Sequence, residues 1–122
     1  MLSLDESLQE VLAVDGARVA ALVDIATGMV VSSAGDEGPD FAVAAASVAD
    51  EARAARAMLG PRCPGGDLDE ITMITTDRIH LARVLSARPG DGMVLFVDLD
   101  RSRINVALAS LRVGQAAQAV LA

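Results

Sequence analysis

The chain has 122 residues, of which 52% are apolar and only 2% aromatic, and its formal net charge at pH 7 is −7. An acidic chain without Trp or Tyr lacks the cationic surface and the stacking side chains that bind nucleic acids, and it has no run of about 18 apolar residues that could cross a membrane. Its acidic N-terminus is unlike a secretory signal, and its single cysteine excludes an internal disulfide framework. We therefore expect one cytoplasmic domain over residues 1–122 that binds no nucleic acid and inserts into no membrane.

The first predicted elements are a helix and a hairpin. The helix spans residues 3–14, where Ser3 and Glu6 have the spacing of a capping box, in which each side chain caps the backbone N–H of the other residue. In the hairpin, Gly28 occupies the turn, where glycine adopts a positive φ most easily. The predicted hairpin strands are residues 17–25 and 29–33.

The most strongly patterned element is a helix over residues 40–59, with Asp40 as its cap. Nine of its residues are Ala, and small side chains let another backbone approach closely. We therefore expect it to pack against a sheet or a partner helix. Its apolar face, at helical spacing, consists of Phe41, Ala45, Val48, Ala52, Ala55 and Leu59.

Three short runs rich in β-branched or large apolar residues predict an antiparallel meander. They are residues 71–75, 79–85 and 93–97. The third run is apolar at successive positions, and successive side chains of a strand point to opposite faces. Both faces of the sheet must therefore be covered by helices.

A last helix is predicted from Asp100 or Ser102 to about Leu121. Gly114 is unfavourable in the middle of a helix, so we expect that packing favours a small residue there. The element order is then α-β-β-α-β-β-β-α. This order predicts one five-stranded antiparallel sheet with helices on both faces, an α/β (α+β) three-layer sandwich.

Three stretches of the sequence resemble the Roadblock/dynein light-chain (Roadblock/LAMTOR-like) family. The first is VLAVDGARVAALVDIATGMVVSSAG, residues 11–35. The positions that match the family pattern within it are Gly16, Asp24, Gly28 and Ala34. The second stretch is the Ala-rich helix, and the third is INVALASLRVGQAAQAVL, residues 104–121, with Asn105 as the early Asn of the family's closing helix. Element order and length agree with the family over nearly the whole chain.

This resemblance implies the profilin-like Roadblock fold and a non-catalytic homodimer, a scaffold or regulatory subunit that binds and modulates a small Ras-like GTPase, as in bacterial small-GTPase regulators. It places the dimer interface on the edge strand, residues 71–76, and on the central helix, residues 40–59. The sequence agrees at two points: the edge ITMITT carries no Lys or Pro to guard it against pairing, and the Ala-rich helix can bury more than one side. The expected interface residues are Ala45, Val48, Ala49, Ala52, Ile71, Thr72, Met73, Ile74 and Thr75.

Two arginines on the central helix, Arg53 and Arg56, are candidates for contacts to a GTPase or across the dimer. The alternative is an exposed face on which they pair with Asp50 or Glu51. An arginine-finger role is chemically feasible, but the resemblance does not imply one.

His80 is the only histidine, and it lacks the companions that a catalytic base or a metal ligand needs. Cys63 is the only cysteine; its Gly/Pro-rich loop and the adjacent Arg62 allow a reactive thiol, but we favour a loop cysteine without a role. We therefore predict no enzyme activity, metal or cofactor. The leading hypothesis is the GTPase-binding homodimer. The alternative is a small-molecule-sensing domain in a signalling system, which would need a cavity that a core of Ala, Val and Leu leaves little room for.

Overall fold

The computed structural model describes residues 3–60, 68–85 and 92–120. Its elements follow the predicted order. They are α1 (Leu4–Leu12), β1 (Ala17–Asp24), β2 (Val30–Gly35), α2 (Phe41–Leu59), β3 (Glu70–Ile74), β4 (Arg78–Leu85), β5 (Met93–Asp100) and α3 (Val106–Val120). No helix in these ranges is both long enough and apolar enough to cross a membrane.

The five strands form one sheet in the order β2-β1-β5-β4-β3, and every neighbouring pair is antiparallel. The hairpin β1–β2 and the meander β3–β4–β5 therefore meet at the β1–β5 pair in the centre. This arrangement leaves β2 and β3 as the two edge strands of the sheet.

Helices cover both faces of the sheet, so the predicted three-layer sandwich is confirmed. α2 packs on one face through Ala45, Val48 and Ala52, while α1 and α3 share the other face. The apolar run of β5 serves both layers: Phe96 belongs to the core under α2, and Leu95 to the core under α1 and α3.

Local sequence signals set two of the predicted boundaries. The capping box of α1 forms, with the Glu6 N–H donating to Ser3 Oγ over 3.1 Å and the Ser3 N–H donating to Glu6 Oε1 over 3.0 Å. These two hydrogen bonds, the backbone one first, hold the pKa of Glu6 below its usual value. Gly28 has a φ of +76°, as the hairpin turn requires.

The caps of the other two helices differ from the prediction. The Asp40 side chain makes no capping hydrogen bond to α2. α3 does not start at Asp100 or Ser102, because Asp100 is the last residue of β5, paired with Arg78 of β4. α3 starts at Val106, where the Asn105 side chain accepts the Leu108 N–H over 2.8 Å.

The turn between β5 and α3 is built around the Asp100 carboxylate. It accepts hydrogen bonds from the Ser102 hydroxyl at 2.8 Å and from the Ser102 N–H at 3.0 Å. These bonds, the hydroxyl one first, lower the pKa of Asp100. Asp100 therefore stabilises the turn that leaves β5 and, contrary to the prediction from the sequence, does not begin the last helix.

Gly114 of α3 faces the side chain of Arg83 on β4. A Cβ at this position would lie 3.3 Å from the Arg83 guanidinium carbon, which is closer than most real Cβ contacts. The glycine therefore gives the guanidinium room on that face of the sheet. Arg83 uses this room to pair with Glu70, 3.1 Å away.

Candidate interaction site

The β3 edge is regular over its whole length. Its register against β4 runs unbroken from Glu70 opposite Arg83 to Ile74 opposite Ile79. On its other side, no strand in the described part of the chain pairs with it. It is also unguarded, since no Lys, Pro or bulge interrupts residues 70–74.

Hydrogen bonds at the two ends of β3 show which residues face outward. The Thr75 N–H donates to the Arg78 carbonyl over 3.0 Å, and the Val84 N–H donates to the Asp69 carbonyl over 2.9 Å. In an antiparallel ladder, residues alternate between pointing their N–H and C=O groups toward one neighbour and toward the other. The odd-numbered residues thus bond to β4, and the backbone groups of residues 70, 72 and 74 point to the open side.

The side chains of β3 divide between the two faces of the sheet. Ile71 packs against the core under α2, and Met73, two residues on, shares that face. Glu70 points to the opposite face, where its carboxylate accepts a hydrogen bond from the Ser110 hydroxyl of α3. Met73 and Ile74 are 43% and 49% exposed, so this edge strand presents two large apolar side chains to solvent. This surface remains a predicted interface.

A second exposed apolar surface, the outer face of α2, looks away from the sheet. Its largest side chains, Val43 and Met58, are 66% and 63% exposed. Between them the exposed residues are small or polar: Ala46, Ser47, Asp50, Arg53, Ala54 and Ala57. The Ser47 hydroxyl is satisfied within the helix by the Val43 carbonyl, 2.9 Å away.

The expected interface residues on α2 need correction. Ala45, Val48, Ala49 and Ala52 are at most 1% exposed and pack against the sheet of their own chain. A side chain with no exposed surface cannot contact a second chain. The helical periodicity identified the buried face of α2 correctly, but an apolar face that the sheet already covers is not available to a partner.

The structure places the two candidate arginines differently. Arg53 donates to the Ile25 carbonyl at the end of β1 and to the Asp50 carboxylate, so its guanidinium ties α2 to the sheet. Arg56 is half-buried. Their contact with a partner remains a prediction. The expected pairing of Arg53 with Asp50 forms.

His80 lies on β4, one strand in from the β3 edge, and faces α2. Its ring centroid is 4.7 Å from that of Phe96, and its Nε2 is 3.5 Å from Glu51 Oε1 of α2. Within residues 3–60, 68–85 and 92–120, no three His, Cys, Asp or Glu side chains are grouped to hold a metal ion. Cys63 lies outside the described residues.

The β2 edge is irregular, unlike the β3 edge. Leu22 pairs with Ser32 but Val23 pairs with Val30, so Val31 is an extra residue that bulges from the strand and is 50% exposed. α1 packs beside β2, and the Ser32 hydroxyl donates to the Asp5 carboxylate at 2.5 Å. The sequence pattern did not reveal the bulge, because Val30 and Val31 both have high strand propensity.

A groove lies between α1 and α3 on the opposite face. Its volume is about 610 Å³, and it is open to solvent. Apolar side chains, including Val14, Ile104 and Leu108, line it between Glu10 on one wall and Arg112 on the other.

Comparison with solved structures shows the fold. The chain superimposes on MglB in a tetrameric arrangement with a TM-score of 0.80 at 22% identity, over 97% of this chain and 85% of that one. The gliding protein MglB from Thermus thermophilus gives 0.80 at 21% identity, with the same coverage. A Roadblock/LC7 domain from Streptomyces avermitilis gives 0.73 at 17% identity, over 99% of this chain and 100% of that one.

No protein-family model and no curated protein matches the chain. The solved structures nevertheless confirm the predicted resemblance at the level of the fold: the chain has the Roadblock/LC7 fold over nearly its whole length.

Proposed function

We propose that this protein is a self-associating, non-catalytic regulatory subunit that binds a small Ras-like GTPase in the cytoplasm. The observation that carries the proposal is the unguarded β3 edge, with its outward N–H and C=O groups unpaired in the described chain. Such an edge favours the addition of another strand. A second copy of the chain supplies a strand of identical length and pattern.

The outer face of α2 supports self-association through a second contact. Val43 and Met58 lie near opposite ends of the 19-residue helix, with Asp50 at its midpoint. If two copies of α2 pack antiparallel about a two-fold axis, Val43 of one meets Met58 of the other, and the alanines between them permit close approach. The two Asp50 carboxylates then meet near the axis, each paired with Arg53 of its own chain. Both helices then bury apolar surface that a monomer leaves in water.

The second proposed partner, besides another copy of the chain, is a small Ras-like GTPase. MglB, which shares the fold, is described as a gliding protein and in a tetrameric arrangement. The Roadblock resemblance of the sequence implies a Ras-like GTPase as the partner.

The GTPase assignment is tested with a small Ras-like GTPase of the same organism, purified in its GDP form and with a non-hydrolysable GTP analogue. The switch segments of such a GTPase are ordered or disordered depending on the bound nucleotide. A surface that recognises these segments therefore binds either the GDP form or the GTP form more tightly. We expect titration calorimetry to show at least a tenfold difference in Kd between the two states. Equal affinity for both states, or no binding, contradicts this part of the proposal.

Arg53 and Arg56 remain candidate contacts for that GTPase. Arg53→Gln removes the charge but keeps a donor for the Ile25 carbonyl, so the fold should survive. If Arg53 contacts the GTPase, this change weakens binding about tenfold, the order expected for one charged hydrogen bond. An unchanged Kd for Arg53→Gln and Arg56→Gln assigns both residues to the chain's own structure.

The groove between α1 and α3 favours the alternative, a small-molecule sensor. Its volume of about 610 Å³ is within the range of small-ligand sites, but it is open rather than enclosed. A rise in Tm on adding a metabolite, lost in Leu108→Glu but kept in Leu111→Glu, would favour this function. Leu111 is exposed on the same helix but does not line the groove.

A further inference from the structure

We infer the register of the junction between two copies: β3 pairs with its own copy in an antiparallel ladder whose two-fold axis passes through Thr72. This inference rests on the proposed function, which supplies the second copy. It goes further by assigning which residue of one chain faces which residue of the other.

The first step is the direction of the free backbone groups. Thr75 and Asp69 bond to β4, so the free groups of the strand are those of Glu70, Thr72 and Ile74. A hydrogen-bonded cross-chain pair therefore joins two even-numbered residues. Registers that place an even-numbered residue opposite an odd-numbered one leave donors facing no acceptor.

The second step is to compare the two-fold registers that remain. With the axis at Thr72, the pairs are Glu70 with Ile74 of the copy, Thr72 with Thr72, and Ile74 with Glu70. Each such pair exchanges two hydrogen bonds. An axis at Ile71 or Met73 gives two such pairs within the strand, and an axis at either end gives one. The Thr72 register thus satisfies every free group from residue 70 to residue 74.

The third step is the fit of the side chains. In this register Ile71 lies opposite Met73 of the copy, on the face that α2 covers, so apolar residues face each other where cross-strand side chains are closest. On the other face Thr72 lies opposite Thr72, where each hydroxyl donates to Glu70 Oε2 of its own chain over 2.9 Å and the two side chains oppose each other as an uncharged pair. No like charges are opposed, because Glu70 faces Ile74.

Cysteine cross-linking tests this register. All variants carry Cys63→Ser, which removes the native thiol. Directly opposed residues of a hydrogen-bonded pair have Cα atoms about 5.5 Å apart, within disulfide range. Two copies of residue 70, or of residue 74, would be displaced by four residues, about 13 Å, and out of range.

We expect Thr72→Cys alone to form a disulfide-linked dimer under mild oxidation. Glu70→Cys and Ile74→Cys should not cross-link when each is alone but should do so when the two variants are mixed. Val31→Cys, equally exposed at the other edge, is the matched control and should stay unlinked. Cross-linking by Ile74→Cys or Glu70→Cys alone, or none by Thr72→Cys in a parent that sediments as a dimer, overturns the register.

A charge pair gives a second readout that needs no oxidation. Ile74→Glu places a carboxylate opposite Glu70 of the copy, whereas Ile74→Arg places a cation there. We expect the Kd of self-association to be at least tenfold weaker for Ile74→Glu than for Ile74→Arg. Equal weakening would indicate that residue 74 faces its own copy and would overturn the Thr72 axis. If the Cys63→Ser parent is a monomer at high concentration, the self-association in the proposed function fails as well.

Discussion

The two edges of this sheet present the same backbone chemistry to solvent and differ in how they are protected. β2 is interrupted by the bulge at Val31 and tied to α1 through the Ser32–Asp5 hydrogen bond. β3 runs straight against β4 without a bulge, Lys or Pro, and two of its apolar side chains are half-exposed. The regular β3 edge is therefore the edge at which the proposed self-association can add a strand.

Proline at the open edge gives the largest expected effect. Thr72→Pro removes an N–H that points away from β4, so the ladder inside the chain stays intact while the cross-chain Thr72 pair loses both hydrogen bonds. At about 1 kcal/mol each, this loss weakens the dimer about 30-fold. Sedimentation velocity over a dilution series measures it.

The control for this prediction is Val31→Arg at the protected edge, which should leave the dimer intact. Circular dichroism checks that both variants fold. A Thr72→Pro variant that associates as tightly as the parent would show that β3 is not the junction.

Charges introduced on the outer face of α2 should have the second-largest effect on self-association. Val43→Glu or Met58→Glu puts a carboxylate into the proposed helix contact, and we expect self-association about tenfold weaker for each. Leu111→Glu is the matched control, since Leu111 is 56% exposed on α3, on the other side of the sheet. Equal behaviour of all three variants would remove α2 from the interface.

Straightening the protected edge should add a weaker association. Deletion of Val31 removes the extra residue between the Leu22–Ser32 and Val23–Val30 pairs, so β2 becomes a regular edge like β3. We expect species larger than a dimer in light scattering at high concentration. A strictly dimeric deletion variant would mean that α1, rather than the bulge, protects this edge.

The smallest expected effect comes from a change in the cap of α1, the helix that packs beside β2. Ser3→Ala removes the cap of α1 and should cost about 1 kcal/mol in the free energy of unfolding, measured in urea, without changing the dimer Kd. The lowered pKa of Glu6 sets the sign of the pH dependence: its stabilising contribution is present above its unfolded-state pKa and is lost as the pH falls through the lowered folded-state value. A weaker dimer in Ser3→Ala would show that the two edges are coupled.

Much of this architecture was predictable because local signals determine it. Short runs of β-branched or large apolar residues predicted the strands of the meander, and the capping box at Ser3 predicted the start of α1. The open position of β3 followed from the resemblance and was confirmed by the strand order.

The features that the sequence did not predict depend on contacts between segments that are distant in sequence. The buried face of α2 was recognised, but only the structure shows that the sheet fills it and leaves Val43 and Met58 outside. Asp100 has the chemistry of a helix cap, yet its pairing with Arg78 keeps it in β5. The bulge at Val31 arises from the pairing of two strands, which neither strand reveals alone.

Residue-resolved amide hydrogen exchange at two protein concentrations tests the central claim most directly. If β3 pairs with its own copy, the amides of Thr72 and Ile74 are protected at high concentration and lose protection on dilution, while exchange along β2 stays the same. Exchange at Thr72 and Ile74 that is fast and independent of concentration would contradict the account.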